Sequence, residues 1–160
     1  MNDLLVSISK AKRGKELDTL VEHKRWTVRA EVAKHGRPQD LDLLVEDPSY
    51  AVRVEVAKYG RPEDLNKLIK DKNVDVRVAV AKHGRPRDLD KLVHDSNYRV
   101  RRIVACFARK QDLDILVHDK SCHVRAFVAR YGNPEHLTIL ANDKSQEVIS
   151  EIVCRQQLMK

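Results

Sequence analysis

The stretch Val52 to Asp75, VRVEVAKYGRPEDLNKLIKDKNVD, decides the fold, because its pattern returns along the chain at a fixed step. Val-Arg recurs at Val28-Arg29, Val52-Arg53, Val76-Arg77, Val100-Arg101 and Val124-Arg125, a step of 24 residues with no insertion. Fixed self-similarity of this length marks an array in which each unit packs mainly on its sequence neighbours.

Superimposing the repeats exposes six apolar columns, those of Val52, Val56, Ala57, Leu65, Leu68 and Ile69. The alternation Val52, Val54, Val56 would suit a strand. The Val54 column, however, also holds Arg102 and Ser150, whereas the Ala57 column keeps Ala33, Ala81, Ala105 and Ala129. The required spacing is therefore i, i+4, i+5, a helical stripe. Leu65, Leu68 and Ile69 follow Pro62, Glu63 and Asp64, the residues of a first helical turn, and predict a second short helix. Their spacing also fits a 3₁₀ turn, so one helix of each pair can be α and the other 3₁₀.

Gly36-Arg37-Pro38, Gly60-Arg61-Pro62, Gly84-Arg85-Pro86 and Gly132-Asn133-Pro134 separate the two helices. Glycine suits a left-handed closing residue and proline the opening of the next helix. Ser49, Asn73, Asn97, Ser121 and Ser145 precede the Val-Arg helices as N-caps. One repeat buries too few aliphatic side chains to offset about 1 to 2 kcal/mol of backbone entropy per residue, so the pairs must stack. The expected fold is all-α, a right-handed α-solenoid of 24-residue helix pairs. Residues 1–27 read as a degenerate N-terminal cap repeat with Lys12 and His23 at altered positions, 28–147 as five full repeats, and 148–160 as a C-terminal cap.

Charged residues make up 34% and hydrophobic ones 42% of the sequence, regular enough to fold. The net charge of +7 permits attraction to phosphates or to an acidic protein surface. The N-terminal MNDLLVSISKAKRG does not read as a secretory signal, and no apolar run approaches a membrane span, so a cytoplasmic protein is expected. Cys106, Cys122 and Cys154 are an odd set without a C-x-x-C pair and read as reduced thiols.

The unit VRxxVAxxGxPxxLxxLxxD at this step resembles the variant leucine-rich repeat, over about residues 16 to 153, and is related in architecture to short HEAT and armadillo-like repeats. Asp47 followed six residues later by Arg53 also resembles the HEAT signature. The resemblance implies stacked α and 3₁₀ helices used for binding, without a shared catalytic residue. The cysteine-rich iron-sulfur segment of that family has no counterpart here, since no clustered cysteines precede the repeats.

The Asp column (Asp47, Asp71, Asp95, Asp119, Asp143) and the Arg column (Arg29 to Arg125) read as structural connectors, a carboxylate holding a guanidinium and backbone amides. A second basic column shows no fixed acidic partner in sequence: Arg37, Arg61, Arg85 and Arg109 with Lys34, Lys58 and Lys82, interleaved with His35, Tyr59 and His83. It offers a nucleic-acid edge. In the fourth repeat Ala108 and Lys110 replace glycine and proline, and Arg99, Arg102 and Arg109 gather near Phe107. The Glu31 and Glu55 column turns apolar at Ile103 and Phe127, a patch that suits a protein partner.

His94 and His118 lie a repeat apart, too far to share an ion, and His118, Cys122 and His123 lack a fourth ligand, so no metal site is expected. No cofactor motif appears. Trp26 is the only indole, and no catalytic acid is recognisable beside it, so a glycosylase-like enzyme is not indicated. The leading expectation is a non-catalytic protein-binding scaffold that uses Arg99, Arg102, Ile103, Phe107, Arg109, Lys110 and Phe127 against an acidic or mixed surface. Sequence-nonspecific nucleic-acid binding is the alternative.

Overall fold

A computed structural model of the chain describes residues 15–158 except 36 and 108. The expectations for Lys12, Gly36, Ala108 and the N-terminal stretch lie outside the described residues. Twelve helices follow one another among those residues, with no strand. They divide into two compact units, Met1–Gly84 and Arg85–Lys160.

The first unit holds α1 (Lys15–Leu20), α2 (Trp26–His35), α3 (Pro38–Leu44), α4 (Tyr50–Tyr59), α5 (Pro62–Leu68) and α6 (Val74–His83). The second holds α7 (Pro86–Leu92), α8 (Tyr98–Cys106), α9 (Lys110–Leu116), α10 (Cys122–Tyr131), α11 (Pro134–Leu140) and α12 (Gln146–Leu158). Within each unit the Val-Arg helices stack on one another, α2 on α4 on α6 and α8 on α10 on α12, and the short helices pack against the long ones beside them.

The six apolar columns form the core. Val52, Val56, Ala57, Leu65, Leu68 and Ile69 are buried, as are Val100, Val104, Ala105, Leu113, Leu116 and Val117 in the second unit. The stripe weakens in the last short helix, where Leu137 is half-buried and Ala141 exposed. Each leucine adds roughly 1.5 to 3 kcal/mol of burial.

Two local expectations are corrected. The short helices are α rather than 3₁₀. They close bonds such as Leu65 N–H to Arg61 O at 3.2 Å and Ile69 N–H to Leu65 O at 3.0 Å. Only their ends tighten to three-residue spacing, as in Asp88 N–H to Arg85 O at 2.8 Å and Asp71 N–H to Leu68 O at 3.0 Å. The glycines at 60 and 132 do not adopt the left-handed region either: Gly60 has φ −76° and ψ 172°, and Gly132 φ −69° and ψ 171°. They are needed because the chain leaves the helix so tightly that a Cβ would strike the carbonyl four residues back.

The Asp and Arg columns act as the connectors expected of them, a carboxylate holding a guanidinium together with a backbone amide. Arg53 does not reach the Asp47 carboxylate. Its Nε and Nη2 donate to Asp71, at 2.6 and 2.9 Å, and its Nη1 donates to the main-chain carbonyl of Asp47 at 2.7 Å. The same fork joins Arg29 to Asp47, Arg101 to Asp119 and Arg125 to Asp143. Each acceptor Asp also takes a backbone amide two residues on, Asn73 N–H at 2.8 Å for Asp71. A bidentate ion pair with an amide cap fixes the angle at which one repeat meets the next.

Candidate binding surface

The surface is built from the outward side of the Val-Arg helices, whose inward side carries Val52, Val56 and Ala57. Positions 26, 30, 31 and 34 of α2, and 50, 51, 54 and 55 of α4, border one open groove of about 520 Å³ in the first unit. Trp26 and Tyr50 stand half-exposed at its margin, while Ala30, Ala51 and Val54 line it. Glu31 and Glu55 also line it. Lys34 Nζ holds Glu31 at 2.8 Å and Lys58 Nζ holds Glu55 at 2.7 Å. Sequence reading passed over this groove, although Trp26, Tyr50 and Tyr98 share one column at the 24-residue step.

In the second unit the corresponding positions of α8 and α10 carry Arg99, Arg102, Ile103 and Phe127. Ile103 and Phe127 are half-buried rather than an open apolar patch. The Arg102 guanidinium lies 5.0 Å from the Phe127 ring centroid, and that of Arg130 lies 5.6 Å from it. Tyr131 meets the same ring at 5.8 Å. Arg130 is committed, donating Nε and Nη2 to Glu151 at 2.9 and 2.5 Å. The Arg102 Nε is shielded from solvent and has no hydrogen-bond partner.

Phe107, Arg109 and Lys110 lie elsewhere, in the turn and at the start of α9. Phe107 is exposed. Arg109 is locked in place: it reaches both oxygens of Asp112 at 2.6 and 2.7 Å, Asp90 at 2.7 Å and the Pro86 carbonyl at 2.9 Å. The exposed Lys110 bridges Asp114 and Glu135 at 3.3 and 3.2 Å.

The second basic column does have fixed acidic partners, contrary to expectation. Arg37, Arg61, Arg85 and Arg109 each clasp the carboxylate three residues on, Asp40, Asp64, Asp88 and Asp112, all of them buried. Arg37, Arg61 and Arg109 also reach an aspartate nineteen residues back, Asp18, Asp42 and Asp90. Asp64 and Asp88 in addition accept the backbone amides of Arg61 and Arg85, both at 2.8 Å, capping the short helices. The Asp112 hydrogen bond, more than burial opposes it, makes the Arg109 guanidinium hold its proton more tightly than usual. In the last repeat Asn133 and His136 replace this pair. His136, almost fully buried, accepts the Asn133 amide on Nδ1 at 3.1 Å and faces Asp114 through Nε2 at 2.9 Å. With Nδ1 accepting, Nε2 carries the proton and donates.

No helix among the described residues is long and apolar enough to cross a membrane. No protein-family model matches the chain, and no curated protein matches it. Among solved structures it is similar to a leucine-rich repeat variant with a novel repetitive structural motif. That match has a TM-score of 0.75 and 26% identity, over 85% of this chain and 58% of that one. The chain is thus an all-helical repeat protein with the fold of a leucine-rich repeat variant.

Proposed function

We propose that the protein is a non-catalytic scaffold that binds a protein partner through the outward side of its Val-Arg helices, with Arg102, Ile103 and Phe127 at the centre of the contact. The carrying observation is that the guanidiniums of Arg102 and Arg130 both lie over the ring of Phe127. Arginine and aromatic side chains held rigid by stacking lose little entropy when a partner arrives, and such residues dominate binding energy at protein interfaces. Arg102 retains donors for a carboxylate, which favours an acidic or mixed partner surface. Arg99 borders this contact in the proposal, whereas Phe107 lies off it in the turn, and Arg109 and Lys110 contribute less because their charges are satisfied within the chain.

The nucleic-acid reading draws less support. Lys34, Arg37, Lys58, Arg61 and Arg85 each lie against a carboxylate of the same chain, so few counterions remain to be released from a phosphate backbone. Lys82 is exposed.

The test selects peptides from a random display library on the full chain and measures their affinity for Arg102→Ala and Phe127→Glu variants. Peptides rich in Asp and Glu are expected, with a loss of about 2 kcal/mol, some thirtyfold in Kd, in either variant. Undiminished binding to both variants overturns this surface. Saturable, salt-sensitive binding of random-sequence RNA that survives both substitutions replaces the proposal with the nucleic-acid reading.

A further inference from the structure

The first turns of α10 and α12 bring together three side chains that the sequence spreads over a full repeat. Cys122 opens α10, His123 follows it, and Glu147 is the second residue of α12. His123 Nδ1 lies 2.8 Å from Glu147 Oε2 and 3.0 Å from Oε1, and Cys122 Sγ lies 3.8 Å from Oε2. One donor atom from each of the three falls within 4.8 Å of the others. The thiol is half-buried, and the imidazole and carboxylate are open to solvent. The Tyr98 ring stacks on the imidazole at 5.4 Å, limiting its swing.

We propose that Cys122, His123 and Glu147 form a binding site for one zinc-type divalent ion. Around a tetrahedral ion with bonds of about 2.0 to 2.3 Å, donors stand about 3.3 to 3.7 Å apart. The sulfur–oxygen separation of 3.8 Å lies just above this range. The imidazole–carboxylate pair opens by under an ångström, a small rotation for exposed side chains. A mixed sulfur, nitrogen and oxygen donor set selects a borderline-soft transition ion and disfavours magnesium and calcium, which take oxygen.

Charge balance agrees. Thiolate and carboxylate neutralise a divalent ion while the imidazole stays neutral, so little net charge is left at the positive ends of α10 and α12. Water completes the fourth position. Because the ligands come from two stacked helices, the ion clips their first turns together and stabilises the second unit. His118 is not a ligand in this arrangement. Glu147 takes its place, one repeat step after His123.

The experiment titrates cobalt(II) into the full chain carrying Cys106→Ser and Cys154→Ser, under reducing conditions, and follows thiolate-to-cobalt charge-transfer absorption. The band should saturate at about one ion per chain and disappear when zinc displaces cobalt. Cys122→Ser should abolish it. His123→Ala and Glu147→Gln should each weaken binding at least the tenfold or so that losing an outer hydrogen-bond partner of a metal ligand costs. All three positions reach solvent, so the variants keep their helical circular dichroism. Absence of a thiolate band under excess cobalt, its persistence in Cys122→Ser, or unchanged affinity in Glu147→Gln overturns the site and leaves a hydrogen-bonded surface pair.

Discussion

At Gly132 the chain turns from α10 into α11 in an extended conformation open to any residue. Its own N–H still donates to the Val128 carbonyl at 2.7 Å. A methyl group there would stand 2.6 Å from that carbonyl oxygen and 3.0 Å from the His136 Cβ. Alanine would ordinarily stabilise such a site by about 0.4 to 1 kcal/mol through the unfolded chain. Overpacking against backbone costs about 1 to 3 kcal/mol and should win. Gly132→Ala is therefore expected to lower the urea midpoint, and a midpoint at or above that of the parent would refute this account. The sequence marks the position as special, yet its reason is a distance to a carbonyl, which composition does not express. The same holds for Arg53, whose carboxylate partner sits eighteen residues ahead at Asp71 while the Asp47 and Pro48 carbonyls lie behind it.

Each short helix after α1 runs seven residues from a proline or its substitute to a leucine, and it is too short to persist without neighbours. Apolar spacing and proline make these helices legible in sequence, because both act within one turn. Their α rather than 3₁₀ character comes from packing: Leu113, Leu116 and Val117 are all buried, at spacings of three and four residues that a wider turn accommodates. In α9 the first residue is Lys110, and Arg109 before it already has φ −70° and ψ 125°, the conformation that a following proline demands. Lys110→Pro should raise stability by a few tenths to about 1 kcal/mol, after losing two exposed ion pairs of small value. Thermal unfolding of the single variant checks this, and a fall in Tm would show that the backbone there differs from the other repeats.

Across the molecule the carboxylates of the turns link stability to acidity. Burial pushes Asp64, Asp71, Asp88 and Asp119 upward, but their arginine partners and backbone amides together hold each below the ordinary 3.8. Asp143 is lowered chiefly by its hydrogen bond from Arg125. A native state with depressed carboxylates binds fewer protons than the unfolded chain. Its extra stability is present above about pH 4 and vanishes as pH falls through the native values. The Tm should hold between about pH 7 and 5 and drop below about 4. Asp71→Asn, which leaves the Arg53 charge buried without its counterion, should cost about 3 to 5 kcal/mol at neutral pH and flatten the acid slope. Equal acid slopes in parent and variant would remove Asp71 from this linkage.

The binding surface was legible only in part. Ile103 and Phe127 break a column of glutamates, and that break can be read from a single chain. The arginines over the Phe127 ring, the carboxylates beneath Arg37 and Arg61, and the groove beside Trp26 could not be read in the same way. By itself the sequence determined the repeat length, the two helices of each pair and the six columns that form the core, because apolar spacing within a helix fixes which side chains share a face. Only tertiary structure decided which cation meets which carboxylate, why the turn needs glycine, and that His123 faces Glu147. The Arg53–Asp71 and His123–Glu147 pairs run between separate elements, where no local spacing records the partner, and the need for glycine is a distance that residue type alone does not express.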